Sequence, residues 1–280
     1  MRLKDKVVVV TGASRGVGKG AALALGAEGA TVYVTGRTLV EGDAPLPGTI
    51  GATAQEITER GGQGIAVQCD HSNDDNVAAL FERVRDEQGK LDILVNNVFA
   101  VPDGPLFNTP FWEQPLSFWD TMHNVGLRSH YIASTMAAPL IIPQGSGLIA
   151  NISSFGGGSY QLNVAYGVGK AGVDRLAKDM AHDLKPHGVA SVSLWPGIVR
   201  TERIVSQQDE LPFDMRNTES PEFTGRAIAA LALAPDRMER TGKVLVVAEL
   251  GEAYGFTDID GKQPRSLRQR TKKSTSKESA

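Results

Sequence analysis

Tyr166 and Lys170 stand four residues apart in a segment with helical periodicity, so both side chains fall on one face of a predicted helix. A phenol moves protons near neutral pH only if its pKa falls from about 10 to about 7–8. A neighbouring ammonium lowers that pKa because it favours the phenolate. The spacing alone is equally typical of a surface pair, so the chemistry depends on what lies nearby.

A hydroxyl pair stands at the end of the strand predicted before this helix, in the sequence Asn151-Ile152-Ser153-Ser154. A hydroxyl at this point could donate a hydrogen bond to a substrate carbonyl and polarise it. A carbonyl, a polarising hydroxyl and a titratable phenol together indicate proton transfer to or from a carbonyl or alcohol oxygen.

A glycine-rich turn follows the first predicted strand, with the sequence Thr11-Gly-Ala-Ser-Arg-Gly-Val-Gly18. Gly12 permits a sharp turn, Gly16 lets backbone amides approach a phosphate, and Gly18 lets the following helix pack against the strand. The helix N-terminus then offers free N–H groups to a pyrophosphate. A glycine triplet alone is weak evidence, but its place after the first strand favours dinucleotide binding.

The second predicted strand ends in Thr35-Gly36-Arg37-Thr38, where an NAD-binding site usually has an acidic residue for the ribose 2′-hydroxyl. Arg37 stands there instead, and a guanidinium can bind a 2′-phosphate with two hydrogen bonds. Arg15 is close enough in the predicted turn to reach the same phosphate. We therefore expect NADP(H) to be preferred over NAD(H), although Arg37 could also be a solvated loop charge.

The elements that would position these residues alternate between short apolar runs and helical patterns. The predicted strands are Val7–Thr11, Thr31–Thr35, Ile65–Cys69, Leu91–Asn96, Gly147–Ser153, Ala190–Leu194 and Lys243–Ala248. The predicted helices are Gly16–Gly29, Ala52–Arg60, Asn76–Glu87, Ser117–Pro139, Val164–Leu184 and Glu222–Leu233. This alternation predicts an α/β protein, with a seven-stranded parallel sheet doubly wound by helices on both faces.

Composition excludes several classes of protein. With 41% hydrophobic residues the chain can bury a core, and its single cysteine excludes an internal disulfide or a multi-thiolate metal site. The five histidines have no metal-ligand spacing, so no metal is expected. The opening residues lack a signal-peptide core and no run approaches about 18 apolar residues, which predicts a soluble, cytoplasmic protein without a membrane span.

The motifs, taken together and in order, resemble those of the short-chain dehydrogenase/reductase family and its Rossmann fold. The resemblance covers residues 5 to about 250 and is carried by the glycine turn, Asp70, Asn96-Asn97, Asn151-Ile-Ser-Ser154, Tyr166-x-x-x-Lys170, and Pro196-Gly197 followed by Thr201. Further motifs narrow it to one subgroup of the family: Phe111-Trp-Glu113, Trp119-Asp120, Asn124-Val-Gly-Leu-Arg128, Tyr166-Gly-Val-Gly-Lys170 and Ser193-Leu-Trp-Pro-Gly197.

The resemblance implies a role for each matching residue. Ser154 would orient the substrate carbonyl, Tyr166 would be the acid/base, and Lys170 would bind the nicotinamide ribose and lower the tyrosine pKa. The cofactor phosphates would be held by Gly12, Ser14, Arg15, Gly16, Val17 and Gly18. The other expected cofactor contacts are Asp70 with His71 at the adenine, Asn96 at the ribose, and Pro196, Gly197, Val199 and Thr201 around the carboxamide.

Three departures from the family pattern affect this interpretation. Val98 and Phe99 replace smaller residues after Asn96-Asn97, and the family's proton-relay asparagine is matched by Gly126. The relay would then run through water alone or be weaker. The serine spacing from Tyr166 matches Ser153, whereas the Ile-Ser-Ser pattern matches Ser154; the local strand pattern favours Ser154.

Two segments beyond the strand ends are expected to bind substrate. One is the loop Ala100–Leu116, with Phe107, Phe111 and Trp112; the other is a lid near 202–221, with Leu211, Phe213 and Met215. These residues favour an apolar pocket for a ketone, aldehyde or secondary alcohol, although those of the first loop could equally pack internally or against a subunit. By analogy with the family, we expect a homodimer or homotetramer.

The chain is thus predicted to be a single domain, residues 1–261, with a basic and disordered tail over 262–280. That tail carries seven Lys or Arg against one Glu, while the whole chain has a net charge of −3. The leading hypothesis is an NADP(H)-dependent carbonyl oxidoreductase. The alternatives are a non-catalytic, cofactor-binding regulatory or scaffold protein and, less favoured because of the acidic net charge, a nucleic-acid partner bound through the tail.

Overall fold

The computed structural model describes residues 1–104, 106–107, 109–208 and 215–268. Within them, seven parallel strands form one sheet, as predicted, and two short strands form a separate ribbon. The sheet strands are β1 (Val7–Val10), β2 (Thr31–Gly36), β3 (Gln63–Gln68), β4 (Ile93–Asn96), β5 (Gly147–Ile152), β6 (Val189–Trp195) and β9 (Val244–Val246). The ribbon strands are β7 (Ile198–Val199) and β8 (Thr218–Glu219).

Helices connect the strands and cover both faces of the sheet. They are α1 (Gly16–Ala27), α2 (Ile50–Glu59), α3 (Asp74–Gln88), α4 (Leu116–His123), α5 (Ser129–Ile141), α6 (Val164–Leu184), α7 (Glu202–Ser206), α8 (Pro221–Leu233) and α9 (Val247–Tyr254). Alternate residues of β1 point to opposite faces: Val8 and Val10 join a core with α1, α2 and α8, whereas Val7 and Val9 join a core with α3 and α5. The apolar run of β1 is therefore buried on both faces, as expected for a parallel sheet.

The strand order places the candidate site. It runs β3-β2-β1-β4-β5-β6-β9, so the direction of winding reverses between β1 and β4. In open α/β sheets, ligands bind in the crevice outside the carboxyl ends of the strands at such a reversal. The glycine turn follows β1, Asn97 follows β4, and Ser153 follows β5, so all three meet at this edge.

Two predicted elements differ from the structure. The helix predicted over Ser117–Pro139 is divided by a π-helical turn, Asn124–Arg128, between α4 and α5. The last strand ends at Val246 rather than Ala248, because Val247 begins α9, a helix with one buried apolar face. The sequence pattern did not separate this short strand from the helix that directly follows it.

The start of the predicted tail also differs from expectation. The backbone N–H of Arg265 donates to Asn217 Oδ1 at 3.0 Å, and Ser266 Oγ donates to Glu249 Oε1 at 2.7 Å. Residues 262–268 therefore pack against the domain, because these polar side chains find partners that sequence periodicity does not reveal. The rest of the predicted tail, 269–280, lies outside the described residues. No helix among the described residues combines the length and the apolar character needed to cross a membrane.

Candidate functional site

Tyr166 and Ser154 are in direct contact. The phenol hydroxyl of Tyr166 donates to Ser154 Oγ at 2.7 Å, and the backbone N–H of Gly156 donates to the same oxygen at 3.1 Å. Because Ser154 Oγ accepts both of these bonds, the Ser154 O–H can still donate to a third group, such as a carbonyl oxygen. Gly156 is required here, since a Cβ at this position would lie 2.5 Å from Tyr166 Cε1.

Local structure distinguishes the two serines that the sequence left open. Ser153 is buried, and its hydroxyl donates to the backbone carbonyl of Lys170 at 3.0 Å, which ties β5 to α6. Ser154 follows in an extended conformation and turns toward Tyr166. The structure thus brings Ser154, and not Ser153, to the phenol.

Lys170 lies one turn beyond Tyr166 on α6 and is only 8% exposed. Its ammonium donates to the carbonyl of Ile152 at 3.2 Å and lies 5.8 Å from the centroid of the Tyr166 ring. Burial lowers the pKa of Lys170 to about 8, although the nearby Asp174 carboxylate opposes that change. A buried cation thus stands beside the phenol on the predicted helix face.

The structure adds an effect that opposes the predicted acidification of the phenol. Burial raises the pKa of Tyr166, and the hydrogen bond with Ser154 only partly opposes this effect. The sequence argument counted the positive charges of Lys170 and of an oxidised nicotinamide but not the cost of burying the phenolate, and in the chain alone burial dominates. A lower pKa would need a further positive charge near the ring.

The glycine turn between β1 and α1 has the shape of an anion-binding cradle. Gly12 and Gly16 have φ angles of 67° and 59°, which favour glycine. A Cβ at Gly18 would overlap the carbonyl oxygen of Gly12, so the close packing of α1 also requires glycine. Ser14 and Val17 are partly exposed in the same turn. These residues fit the pyrophosphate of a dinucleotide.

An anionic oxygen already bonds one amide of this turn. The backbone N–H of Gly16 donates to Glu202 Oε2 at 2.8 Å, which brings α7 against the turn. Thr201 caps α7 through its hydroxyl, and its methyl group would lie 3.5 Å from a Cβ at Gly16. The glycine turn and the predicted carboxamide side of the site are therefore neighbours.

The residues predicted around the adenine end separate into exposed and buried groups. Arg37 is exposed and Asp70 is half-buried; burial would raise the pKa of Asp70, but hydrogen bonds from Ser72 and the charge of Arg37 give a net lowering. His71 is 3% exposed and shares a 2.8 Å hydrogen bond with Thr35 Oγ1, and burial lowers its pKa to about 4. The His71 side chain thus turns into the protein, and the predicted place of His71 beside Asp70 at the adenine stays a prediction.

The side chain of Asn96 also turns into the protein. It is fully buried, and its amide donates to Ser134 Oγ at 2.9 Å and Asn151 Oδ1 at 3.0 Å. The predicted contact of Asn96 with the ribose stays a prediction. The next residue, Asn97, donates to the carbonyls of Thr11 and Gly12, each at 2.9 Å, and so joins the end of β4 to the glycine turn.

Sequence reasoning gave Asn97 no role. The available signal was its position directly after β4, beside the end of β1. Because consecutive residues of a strand point to opposite faces, Asn96 and Asn97 could not both face the crevice.

The carboxamide side follows β6. Pro196 and Val199 are buried and Gly197 is half-buried, and a Cβ at Gly197 would lie 2.7 Å from Glu219 Oε1. Burial raises the pKa of Glu219 to about 8, so this carboxyl is held largely neutral beside the loop. Thr201, further along this segment, lies beside the glycine turn.

The predicted substrate segments are described only in part. Phe111 and Trp112 are 62% and 71% exposed and contact each other edge to face, with ring centroids 5.2 Å apart. Asn163 Nδ2 donates to the carbonyl of Leu106 at 3.3 Å, which ties this loop to the start of α6. Leu211 and Phe213 lie outside the described residues.

Comparisons with known proteins agree with this geometry. The family model described as short chain dehydrogenase matches residues 6–211. Dehydrogenase/reductase SDR family member 1 from Mus musculus is 47% identical over 274 residues, covering 93% of this chain and 85% of that protein. The protein of the same name from Homo sapiens is 46% identical with the same coverage. These relatives confirm the predicted subgroup.

Similarity to solved structures supports the same conclusion. A 7α-hydroxysteroid dehydrogenase complexed with NADH and 7-oxo glycochenodeoxycholic acid has a TM-score of 0.74 and 26% identity, covering 95% of this chain and 97% of that one. The sheet order, the crevice and these matches together show that the chain belongs to the short-chain dehydrogenase/reductase family, and that it is an oxidoreductase of a family that uses nicotinamide cofactors.

Proposed function

We propose that this oxidoreductase interconverts a ketone or aldehyde and the corresponding alcohol with NADP(H), using Tyr166 as the acid/base. The observation that carries the proposal is the 2.7 Å hydrogen bond between the Tyr166 hydroxyl and Ser154 Oγ at the carboxyl edge of the sheet. Two hydroxyls at this separation can both bond one substrate oxygen, one by donating its proton during reaction and one by holding the oxygen in place.

Proton transfer is assigned to this chain's own side chains. In reduction, the Tyr166 O–H bond breaks and its proton passes to the carbonyl oxygen; in oxidation, the phenolate takes the proton from the alcohol. Ser154 donates a hydrogen bond to that oxygen and so stabilises its developing negative charge. A bound nicotinamide would supply or accept the hydride, and its oxidised form would add a positive charge that favours the phenolate.

Lys170 supports the phenolate and binds the cofactor ribose in this proposal. Its ammonium is held by the Ile152 carbonyl at 3.2 Å, which fixes its place at the floor of the crevice. The bond leaves other N–H donors of the same ammonium free to point toward a ribose hydroxyl. This role agrees with its burial, because a buried cation is costly unless it has a partner or a function.

The preference for NADP(H) rests on Arg37, directly after β2, and Arg15, in the glycine turn. Arg15 Nη2 donates to Thr38 Oγ1 at 3.2 Å and to the carbonyl of Gly48 at 2.8 Å, so its guanidinium lies beside the residue that follows Arg37. The sequence Thr35-Gly-Arg-Thr38 contains no carboxylate to bind a 2′-hydroxyl or to repel a phosphate. Two guanidinium groups therefore favour a 2′-phosphate.

The coenzyme preference is tested by Arg37→Ala. We expect kcat/KM for NADPH to fall about 10-fold, since a charge-assisted hydrogen bond contributes about 1.5–3 kcal/mol, with NADH nearly unaffected. Arg85→Ala is the matched control, because Arg85 is exposed on α3 and paired with Asp86. Equal losses with both coenzymes would contradict a 2′-phosphate contact.

The substrate and the assembly are further parts of the proposal. The exposed rings of Phe111 and Trp112 favour an apolar substrate entering over the loop before α4. Tyr131 on α5 and Val168 on α6 are also exposed, at 55% and 45%, and we propose that α5 and α6 pair two subunits. Light scattering of the purified chain distinguishes a dimer or tetramer from a monomer.

The catalytic proposal is tested by a screen of ketones, aldehydes and secondary alcohols that follows NADPH absorbance. We expect at least one carbonyl compound to be reduced by the wild-type protein and not by Tyr166→Phe prepared in parallel. A protein that binds NADPH but reduces no compound in the screen would contradict the proposal.

A further inference from the structure

The ring of Phe99 occupies space that Gly126 leaves open. A Cβ at Gly126 would lie 2.6 Å from Phe99 Cδ2 and 3.0 Å from Cε2. Gly126 is buried within the π-helical turn Asn124–Arg128 that separates α4 from α5. The observed position of the Phe99 ring therefore requires a residue without a side chain at 126.

The same ring contacts both side chains of the Tyr166–Lys170 pair. Lys170 Nζ lies over the Phe99 ring, 4.8 Å from its centroid. The ring also meets Tyr166 edge to face, with centroids 5.9 Å apart and planes at 83°. A cation within about 6 Å of a ring centroid is attracted by the negative face of the ring.

We propose that Phe99 is a positioning residue that keeps Lys170 charged beside Tyr166 through the face of its ring, and that Gly126 is small because this ring needs the space. The inference rests on the proposed roles of Tyr166 and Lys170. Phe99 and Gly126 are two of the departures from the family pattern. The inference explains them together, because the larger ring at position 99 needs the space that a missing side chain at position 126 leaves.

The electrostatic need for such a contact follows from burial. Burial lowers the pKa of Lys170 to about 8, and Asp174 on the same helix favours the ammonium. His130 on α5 and His123 on α4 face this region, but burial lowers the pKa of both, that of His130 to about 3, so both are largely neutral at pH 7. Tyr166 is neutral under the same conditions, so the charged lysine is favoured by Asp174, the Ile152 carbonyl and the Phe99 ring.

The pairing of Phe99 with Gly126 also removes a side-chain route for protons to Lys170. Gly126 offers no polar side chain, and an apolar ring fills the adjoining space. No side chain at position 126 can therefore relay a proton to Lys170. The ammonium is held instead by the Ile152 carbonyl and the ring.

The first experiment measures the pKa of Lys170 in the full-length protein by NMR of ¹³C-labelled lysine side chains, with Lys170→Met identifying the signal. We expect Phe99→Leu to lower this pKa by about 0.5–1 pH unit, because the leucine keeps bulk but has no ring face. Phe99→Tyr should retain the wild-type value. Phe256→Leu is the matched control, since Phe256 is another half-buried phenylalanine and pairs with Phe223.

The pH profile of kcat/KM for alcohol oxidation is the second readout. A less charged Lys170 stabilises the phenolate less, so we expect the rise of the Phe99→Leu profile to move to higher pH, while Phe256→Leu leaves it in place. A folded Phe99→Leu protein with an unchanged Lys170 pKa would overturn the proposal.

The pairing with Gly126 is tested by a double-mutant cycle. Glycine-to-alanine changes in a helix normally stabilise it, yet we expect Gly126→Ala to lower the melting temperature and kcat/KM, because its Cβ displaces the ring. In the Phe99→Ala background, Gly126→Ala should cost little or nothing. Equal effects in both backgrounds would overturn the pairing.

These outcomes separate the inference from the proposed function. If wild-type protein reduces no carbonyl compound, the proposed function fails, whereas the NMR titration and the melting temperatures still decide the place of Phe99. If Tyr166→Phe abolishes turnover but Phe99→Leu leaves the lysine pKa unchanged, only the inference fails.

Discussion

The glycine turn after β1 and the side chains after β5 lie at the same edge of the sheet but are built differently. In the glycine turn, backbone amides and missing side chains form the surface, as the φ angles of Gly12 and Gly16 and the close packing of Gly18 show. In the second region, Ser154, Tyr166 and Lys170 act through side chains, and burial changes the pKa of two of them.

This difference predicts two kinds of response to mutation. A backbone surface recognises the shape and charge that phosphates share, so changes there should alter cofactor affinity or the stability of α1. Buried ionisable side chains act on the reacting oxygen, so changes there should alter kcat and its pH dependence. The predictions below test that division, beginning with the largest expected effect.

Replacing each serine alone should separate chemistry from stability. We expect Ser154→Ala to reduce kcat about 10²–10³-fold, since it removes a donor to the developing oxyanion. Ser153→Ala is the matched control and should mainly lower the free energy of unfolding by about 1 kcal/mol, through loss of its bond to the Lys170 carbonyl. A larger loss of kcat in Ser153→Ala, measured at saturating substrate, would reverse the assignment.

Replacing Gly18 should act through packing and affinity. A Cβ there would overlap the Gly12 carbonyl oxygen, so we expect Gly18→Ala to lose stability near the upper end of the about 1–3 kcal/mol that overpacking costs, together with NADPH affinity. Gly51→Ala in α2 is the control, because its nearest neighbour, Thr49 Oγ1, would be 4.0 Å away. Urea denaturation measures the loss of stability, and NADPH titration measures the loss of affinity. A Gly18→Ala variant with wild-type stability and normal NADPH affinity would contradict this prediction.

Lys170 should make stability depend on pH in a defined window. Its pKa is about 8 in the folded chain against an ordinary 10.5, so the folded chain releases this proton first as pH rises. The free energy of unfolding of the wild type, relative to Lys170→Met, should therefore rise by about 2 kcal/mol between pH 7 and about pH 9.5, with little change below pH 7. If urea denaturation gave the same difference in free energy of unfolding between wild type and Lys170→Met across that window, the claim that Lys170 is a buried cation would be contradicted.

Replacing Glu202, which contacts the glycine turn from α7, should have the smallest effect. Its carboxylate accepts the Gly16 amide at 2.8 Å, where a cofactor phosphate oxygen would compete for the same donor. We expect Glu202→Gln to tighten NADPH binding about 3-fold, as about 0.3–1 kcal/mol is typical of one charge at a helix N-terminus. Weaker binding in a fluorescence titration would mean that the carboxylate assists the cofactor.

Sequence predicted the scaffold and most of the residues that meet in the crevice. Strand and helix alternation was sufficient for the seven-stranded sheet, because its central strands β1, β4, β5 and β6 are buried on both faces and are largely apolar. The spacing of Tyr166 and Lys170 placed them on one face of α6, as the structure has them. The relative positions of residues within one helix do not depend on distant contacts, so the sequence alone predicts them.

The sequence could not show contacts between distant segments. The side chains of His71, after β3, and of Asn96, the last residue of β4, turn to buried partners on other elements. Burial, which raises the pKa of Tyr166 in the chain alone, depends on the whole fold, so the sequence argument did not count it. The relation of Phe99 to Gly126 joins positions 27 residues apart in sequence, and only the packed structure shows that they share space.

The most direct test of the central claim is a paired measurement on Tyr166→Phe: single-turnover reduction of a carbonyl substrate, and NADPH affinity by fluorescence titration. If the phenol moves the proton, turnover should fall at least about 10³-fold while the NADPH Kd stays within about 2-fold of wild type, because only an interaction of the transition state is lost. Turnover near the wild-type rate in a variant that binds NADPH normally would contradict the account.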